Sequence, residues 1–180
     1  RVVASTGSPL YSAICSAIGS INGQLHCSCG TGVLDVLQEA IQSGNAEEWV
    51  CQEITKGRRV LGFENSHHKP RDPRSAVLKS YCVQLADALG QNEMENAADT
   101  IEEIMGKIQK VHPRVEWYAS RLLHYLGFEP DLFTPIFSVS RLVGWVAHIV
   151  EQSENNHLYQ PLSRYVGMDQ RKYTPLPLRS

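Results

Sequence analysis

A chain of 180 residues, 42% of them hydrophobic, can bury a core of its own. Its net charge of -2 argues against a general nucleic-acid or anionic-membrane surface, so Arg58-Arg59 and the run Lys69 to Arg74 read as solvated surface. Five cysteines without a visible signal peptide speak against a disulfide framework and for a reducing, cytoplasmic compartment.

The start at Arg1, in sequence of mid-helix character, reads as that of a fragment or processed piece. Pro9 to Ile21 sets Leu10, Ile14, Ala17 and Ile18 on one helical face, and Gly23 ends it. Val33, Leu34, Leu37 and Ile41 form the next stripe. Ser43-Gly44-Asn45 stops that helix and caps another, Ala46 to Thr55. Val60 to Phe63 is the best strand candidate, within a long loop from Arg58 to Arg71. Asp72-Pro73 supplies an N-cap carboxylate and a first-turn proline for a helix running to Gly90. Asn92 to Val111 repeats apolar residues at Ala97, Ile101, Ile104, Met105 and Ile108. Pro113 opens a shorter helix ending at Gly127, and Pro130 opens an apolar one ending near Gln152. Arg141 and His148 interrupt the apolar run Leu132 to Val150, which argues for a buried helix rather than a membrane span. The last 20 residues read as an extended tail. The fold class is all-α with about seven helices, and Trp49, Trp117 and Trp145 are expected in its core.

Four segments carry further information. They are Arg1 to Thr6 with Leu10 to Ala13 and Gly23 to His26; Leu61 to Ser66 with Lys69 and Asp72-Pro73-Arg74; Val115 to Ser120; and Phe133-Thr134 through Ser140-Arg141, Gly144-Trp145 and Ala147-His148 to Tyr165-Val166-Gly167. In this order and spacing they resemble the C-terminal half of the citrate synthase and methylcitrate synthase family. The resemblance covers essentially all 180 residues.

The resemblance implies condensation of an acyl-CoA, usually acetyl-CoA as co-substrate, with an oxo acid, usually oxaloacetate in the tricarboxylic acid cycle. It implies no covalently bound cofactor and no metal. Such chemistry needs a carboxylate to take a proton from the acetyl methyl group. It needs a neutral donor to stabilise the enol, and another to polarise the ketone. Arginines hold the oxo-acid carboxylates. By resemblance, His26 stabilises the enol, Asn65 stands where the family has the histidine that polarises the carbonyl, and Glu116 replaces the aspartate base. Arg74 and Arg141 match arginines that grip the oxo acid; Arg141, in an apolar helix, is expected to be buried against an anionic partner. Lys69 matches a basic position near the CoA phosphates, and Gln160 replaces an arginine that reaches into the partner subunit's site.

These departures matter chemically. Asn65 donates a hydrogen bond but does not exchange a proton as imidazole does. Glu116 is longer than aspartate by one methylene, roughly 1.5 Å. Cys27-Ser28-Cys29-Gly30 stands in place of a small-residue turn where backbone approaches ligand. The two function readings are a condensing enzyme, and an impaired relative that binds CoA or carboxylates or pairs with a true synthase. An acyl-CoA hydrolase is a third. His26, Cys27, Cys29, His67 and His68 form a rival soft-metal constellation for zinc or copper. The resemblance implies a large helical domain from residues 1–24 and 131–180, and a small, closing, CoA-binding domain from 25–130. It also implies a homodimer, or pairing with a chain that supplies the N-terminal half.

Overall fold

A computed structural model describes residues 1–23, 32–63, 72–167 and 173–176. Local chemistry sets the starts of two of its helices, Ala46–Thr55 and Pro73–Leu89. Helix α1 is one turn, Val2–Ser5, and α2 is Leu10–Ile21. α3 is Gly32–Gln42 and α4 is Ala46–Thr55. Asn45 caps α4 by accepting from the Glu48 amide at 3.2 Å. α5, Pro73–Leu89, begins where Asp72 accepts from the Arg74 amide at 2.9 Å and ends at Gly90, whose φ of +68° is the left-handed stop. α6 is Asn92–Ile108, three residues shorter than the periodicity predicts, with Lys110 at φ +53° behind it.

Two predicted starts move. The helix expected from Pro113 begins at Val115, as α7, Val115–Tyr125. The cause is non-local: the Arg114 amide donates to the Gly62 carbonyl at 2.8 Å, and Pro113 bridges Phe63. That bridge is all that forms of the predicted strand Val60 to Phe63; among the described residues there is no strand. Pro130 opens a 3-10 turn, Pro130–Leu132, before α8, Phe133–Glu154. Of the last 20 residues, expected as an extended tail, 161–167 and 173–175 carry no helix or strand.

The described residues hold two hydrophobic clusters. One is built from α3 to α7, with Leu37, Val50, Cys82, Ile101, Phe63 and Trp117 at its centre. The other joins Ala4, Ala13 and Ile149 from α1, α2 and α8. Arg1 ties α1 to α8 by pairing with Glu151 and meeting His148 at 2.9 Å. Of the three tryptophans only Trp117 is fully buried; Trp49 and Trp145 are half-buried. The apolar helix α8 is not buried as expected. Val139, Val143 and Val150 face outward, because α1 and α2 cover one side of it only. By length and composition alone Pro130–Glu154 would also pass for a membrane-crossing helix.

Candidate active site

The site is built around the start of α7. Gly62 takes a φ of +92°, and a Cβ there would stand 2.6 Å from Trp117 Cε3. Glycine is therefore required both by backbone and by the ring. Phe63 stacks at a tilt on Trp117, with centroids 4.9 Å apart. Leu61 lies against Gly32 so closely that a Cβ would meet Leu61 Cδ1 at 2.5 Å. The chain leading out of segment 24–31 and the chain leading into segment 64–71 are thus pinned together beside α7. His26, Asn65 and Lys69, with Cys27, Cys29, His67 and His68, lie outside the described residues.

Glu116 sits in the first turn of α7, where the helix dipole favours an acid. It is buried, and its Oε2 has no hydrogen-bond partner. Arg114 Nε approaches that oxygen at 3.6 Å, too far for a hydrogen bond. A buried carboxylate whose Oε2 is tied down by no hydrogen bond keeps the capacity to take a proton.

Arg74 lies on the first turn of α5 and senses the Glu116 charge. Its exposed guanidinium folds back on Asp72: Nη2 donates to Oδ2 at 2.6 Å and Nε to Oδ1 at 3.0 Å. That hydrogen bond raises Arg74 and holds the Asp72 carboxyl below its ordinary range. A ligand carboxylate would compete with Asp72 for this fork. Arg141 is exposed rather than buried: α8 is covered on one side, and its guanidinium lies over Gly144, where a Cβ would stand 3.2 Å from Nη1. Gln160 is exposed on the tail. Arg141 and Gln160 thus belong to α8 and the tail, and only Glu116 and Arg74 share the α5–α7 neighbourhood. Among the described residues no group of His, Cys, Asp and Glu is placed to hold a metal. The described cysteines, Cys15, Cys51 and Cys82, are free thiols.

Sequence reasoning missed the buried ion network behind this site. Arg121 is fully buried and donates to Glu95 at 2.8 Å and to Glu102 at 3.4 Å. Glu102 also accepts from Trp117 Nε1 at 2.9 Å and from Lys79 at 2.8 Å; Glu95 accepts from the Tyr125 hydroxyl at 2.7 Å. The signal was present: Glu95 and Glu102 are two turns apart on α6, and Trp117, Tyr118, Arg121 and Tyr125 share a face of α7. Burial opposes the charge of Lys79, but Asp99 and Glu102 outweigh it and raise the ammonium. Burial pushes Cys82 up to about 11 and, with Glu102 adding to it, Tyr118 up to about 12. Burial and the hydrogen bond to Glu95 raise Tyr125 further.

Solved structures and relatives identify this arrangement. The citrate synthase of the thermophilic archaeon Thermoplasma acidophilum, solved as a ternary complex with carboxymethyl coenzyme A and oxaloacetate, superposes with a TM-score of 0.86 at 28% identity. The match covers 99% of this chain and 49% of that one. The fold is therefore that of the all-α citrate synthases. Residues 1–162 match the family described as "Citrate synthase, C-terminal domain", and the chain belongs to the citrate synthase family. It is 38% identical over all 180 residues to citrate synthase 2 of Bacillus subtilis (strain 168), covering 48% of that protein. It is 31% identical to the 2-methylcitrate synthase of Shewanella oneidensis over 99% of this chain and 48% of that protein. The chain spans about half the length of the curated relatives it matches.

Proposed function

We propose that this chain carries one half of an acyl-CoA-condensing site of the citrate synthase type. Glu116 takes a proton from the methyl group of acetyl-CoA, and His26 donates to the enol oxygen. The enol carbon attacks the ketone of oxaloacetate, polarised by Asn65, and Arg74, Arg141 and Gln160 contact the oxo-acid carboxylates. Hydrolysis of the resulting citryl thioester releases citrate and CoA, whose phosphates Lys69 approaches. Residues 25–130 close over the CoA, and residues 1–24 and 131–180 belong to the larger domain. The remaining half, on the same or another polypeptide, and a second copy reached by the tail complete the site and cover the apolar outer face of α8. The five cysteines fit work in the cytoplasm.

The observation that carries this reading is Glu116, buried at the start of α7 with no hydrogen bond to Oε2 and only the Arg114 guanidinium, at 3.6 Å, beside it. Mass-spectrometric detection of citrate, from acetyl-CoA and oxaloacetate with a complementary N-terminal half supplied, tests it. Citrate above the uncatalysed blank, lost in Glu116→Gln, supports the proposal; none from the wild type counts against it. A second reading, binding of CoA or carboxylates without turnover, is favoured by the Arg74 fork already spent on Asp72. It predicts ligand heats in calorimetry with no citrate formed.

A further inference from the structure

Ser120 lies four residues after Glu116, so the two side chains share one face of α7. Ser120 is fully buried, and its Oγ has no hydrogen-bond partner; Glu116 Oε2 and Ser75 Oγ share that condition. Other helical hydroxyls satisfy themselves locally. Those of Ser20, Thr55, Thr100, Ser138, Ser140 and Ser153 each donate to the carbonyl four residues back, at 2.8–3.0 Å. For Ser120 that acceptor would be the Glu116 carbonyl, and its hydroxyl does not take it.

Ser120 and Glu116 stand about one helical turn apart on the same face of α7, each with a buried polar atom that makes no hydrogen bond, and buried polar groups of native proteins are paired with protein or with water. We propose that a buried water bridges Ser120 Oγ and Glu116 Oε2, and that Ser120 is thereby a positioning residue for the base. The water accepts from the Ser120 hydroxyl and donates a hydrogen to Oε2. The bridge holds the carboxylate in one orientation while it takes the substrate proton. This rests on the base role proposed for Glu116, but its structural test does not depend on turnover.

The first test is a crystal structure of the full chain at a resolution that shows waters. The proposal expects an ordered water within about 3.2 Å of both Ser120 Oγ and Glu116 Oε2, absent in Ser120→Ala. A dry seam, or a Ser120 hydroxyl donating to the Glu116 carbonyl, overturns it. Thermal unfolding adds a second reading. Losing a bridged hydroxyl lowers Tm, whereas losing one that was simply unpaired leaves Tm unchanged or raises it. In the citrate assay Ser120→Ala lowers kcat on the order of tenfold with KM for acetyl-CoA held; an unchanged kcat overturns the positioning role. An ordered water in a chain that makes no citrate supports the bridge and counts against the catalytic role of Glu116.

Discussion

At the scale of single residues, Glu116 and Gly62 carry the most weight. Glu116→Gln keeps the size and acceptor oxygen of the side chain and gives up only a 3.6 Å ion pair with Arg114, so it removes little that holds the fold. It should leave the denaturation midpoint nearly unchanged while lowering citrate formation at least roughly a hundredfold. Combining Glu116→Asp with Asn65→His should raise turnover above that of the wild type, read in the same assay. Gly62→Ala meets both a φ of +92° and the Trp117 ring, and should cost about 2–4 kcal/mol by urea denaturation. Buried thiol and phenols set the alkaline limit. Cys82 rises from an ordinary 9.0 to about 11, and Tyr118 from 10.0 to about 12. Unfolded, these groups lose their protons first, so the folded state holds more protons through this window and stability falls as pH rises. The denaturation midpoint should be flat up to about pH 9 and decline between about pH 9 and 12, and Cys82→Ala should soften the decline.

At the scale of elements, α5, α6 and α7 are joined by a buried charge network. Arg121→Met would leave Glu95 and Glu102 buried without their shared cation, and should cost on the order of 3–5 kcal/mol in urea unfolding. Glu102→Gln should cost less, since the amide oxygen still accepts from Trp117 Nε1. Helix positions were legible in the sequence wherever local chemistry decides them. Asn45, Asp72-Pro73 and Gly90 mark the ends of α4 and α5 as their side chains and backbone preferences require. The start of α7 was not legible, because the Gly62 carbonyl captures the Arg114 amide from more than 50 residues away. Arg121 escaped notice for a related reason: its two carboxylates lie on another helix, and an arginine read alone belongs at the surface. Arg141 failed in the opposite direction. An apolar run reads as buried, but this chain covers only part of α8.

At the scale of the whole molecule, the two clusters and the outward face of α8 define what the chain lacks by itself. Val139, Val143 and Val150 lie along α8, and Leu158, Leu162 and Val166 continue the exposed apolar surface into the tail. A surface of this kind favours association. Val143→Glu should reduce self-association, or association with a complementary half, in analytical ultracentrifugation without lowering helical content. The family was legible from four spaced segments. The opposing roles of Arg74 and Asp72 were not, because a side chain folding onto its own N-cap is a matter of rotamer rather than of sequence order. The most direct test of the central claim is deuterium exchange into the methyl group of acetyl-CoA, read by mass spectrometry. The chain is incubated in heavy water with its complementary half and a dicarboxylate that cannot be attacked. Glu116 acting as the base predicts exchange in the wild type and in Asn65→Ala, and none in Glu116→Gln. No exchange in the wild type, or equal exchange in Glu116→Gln, would contradict it.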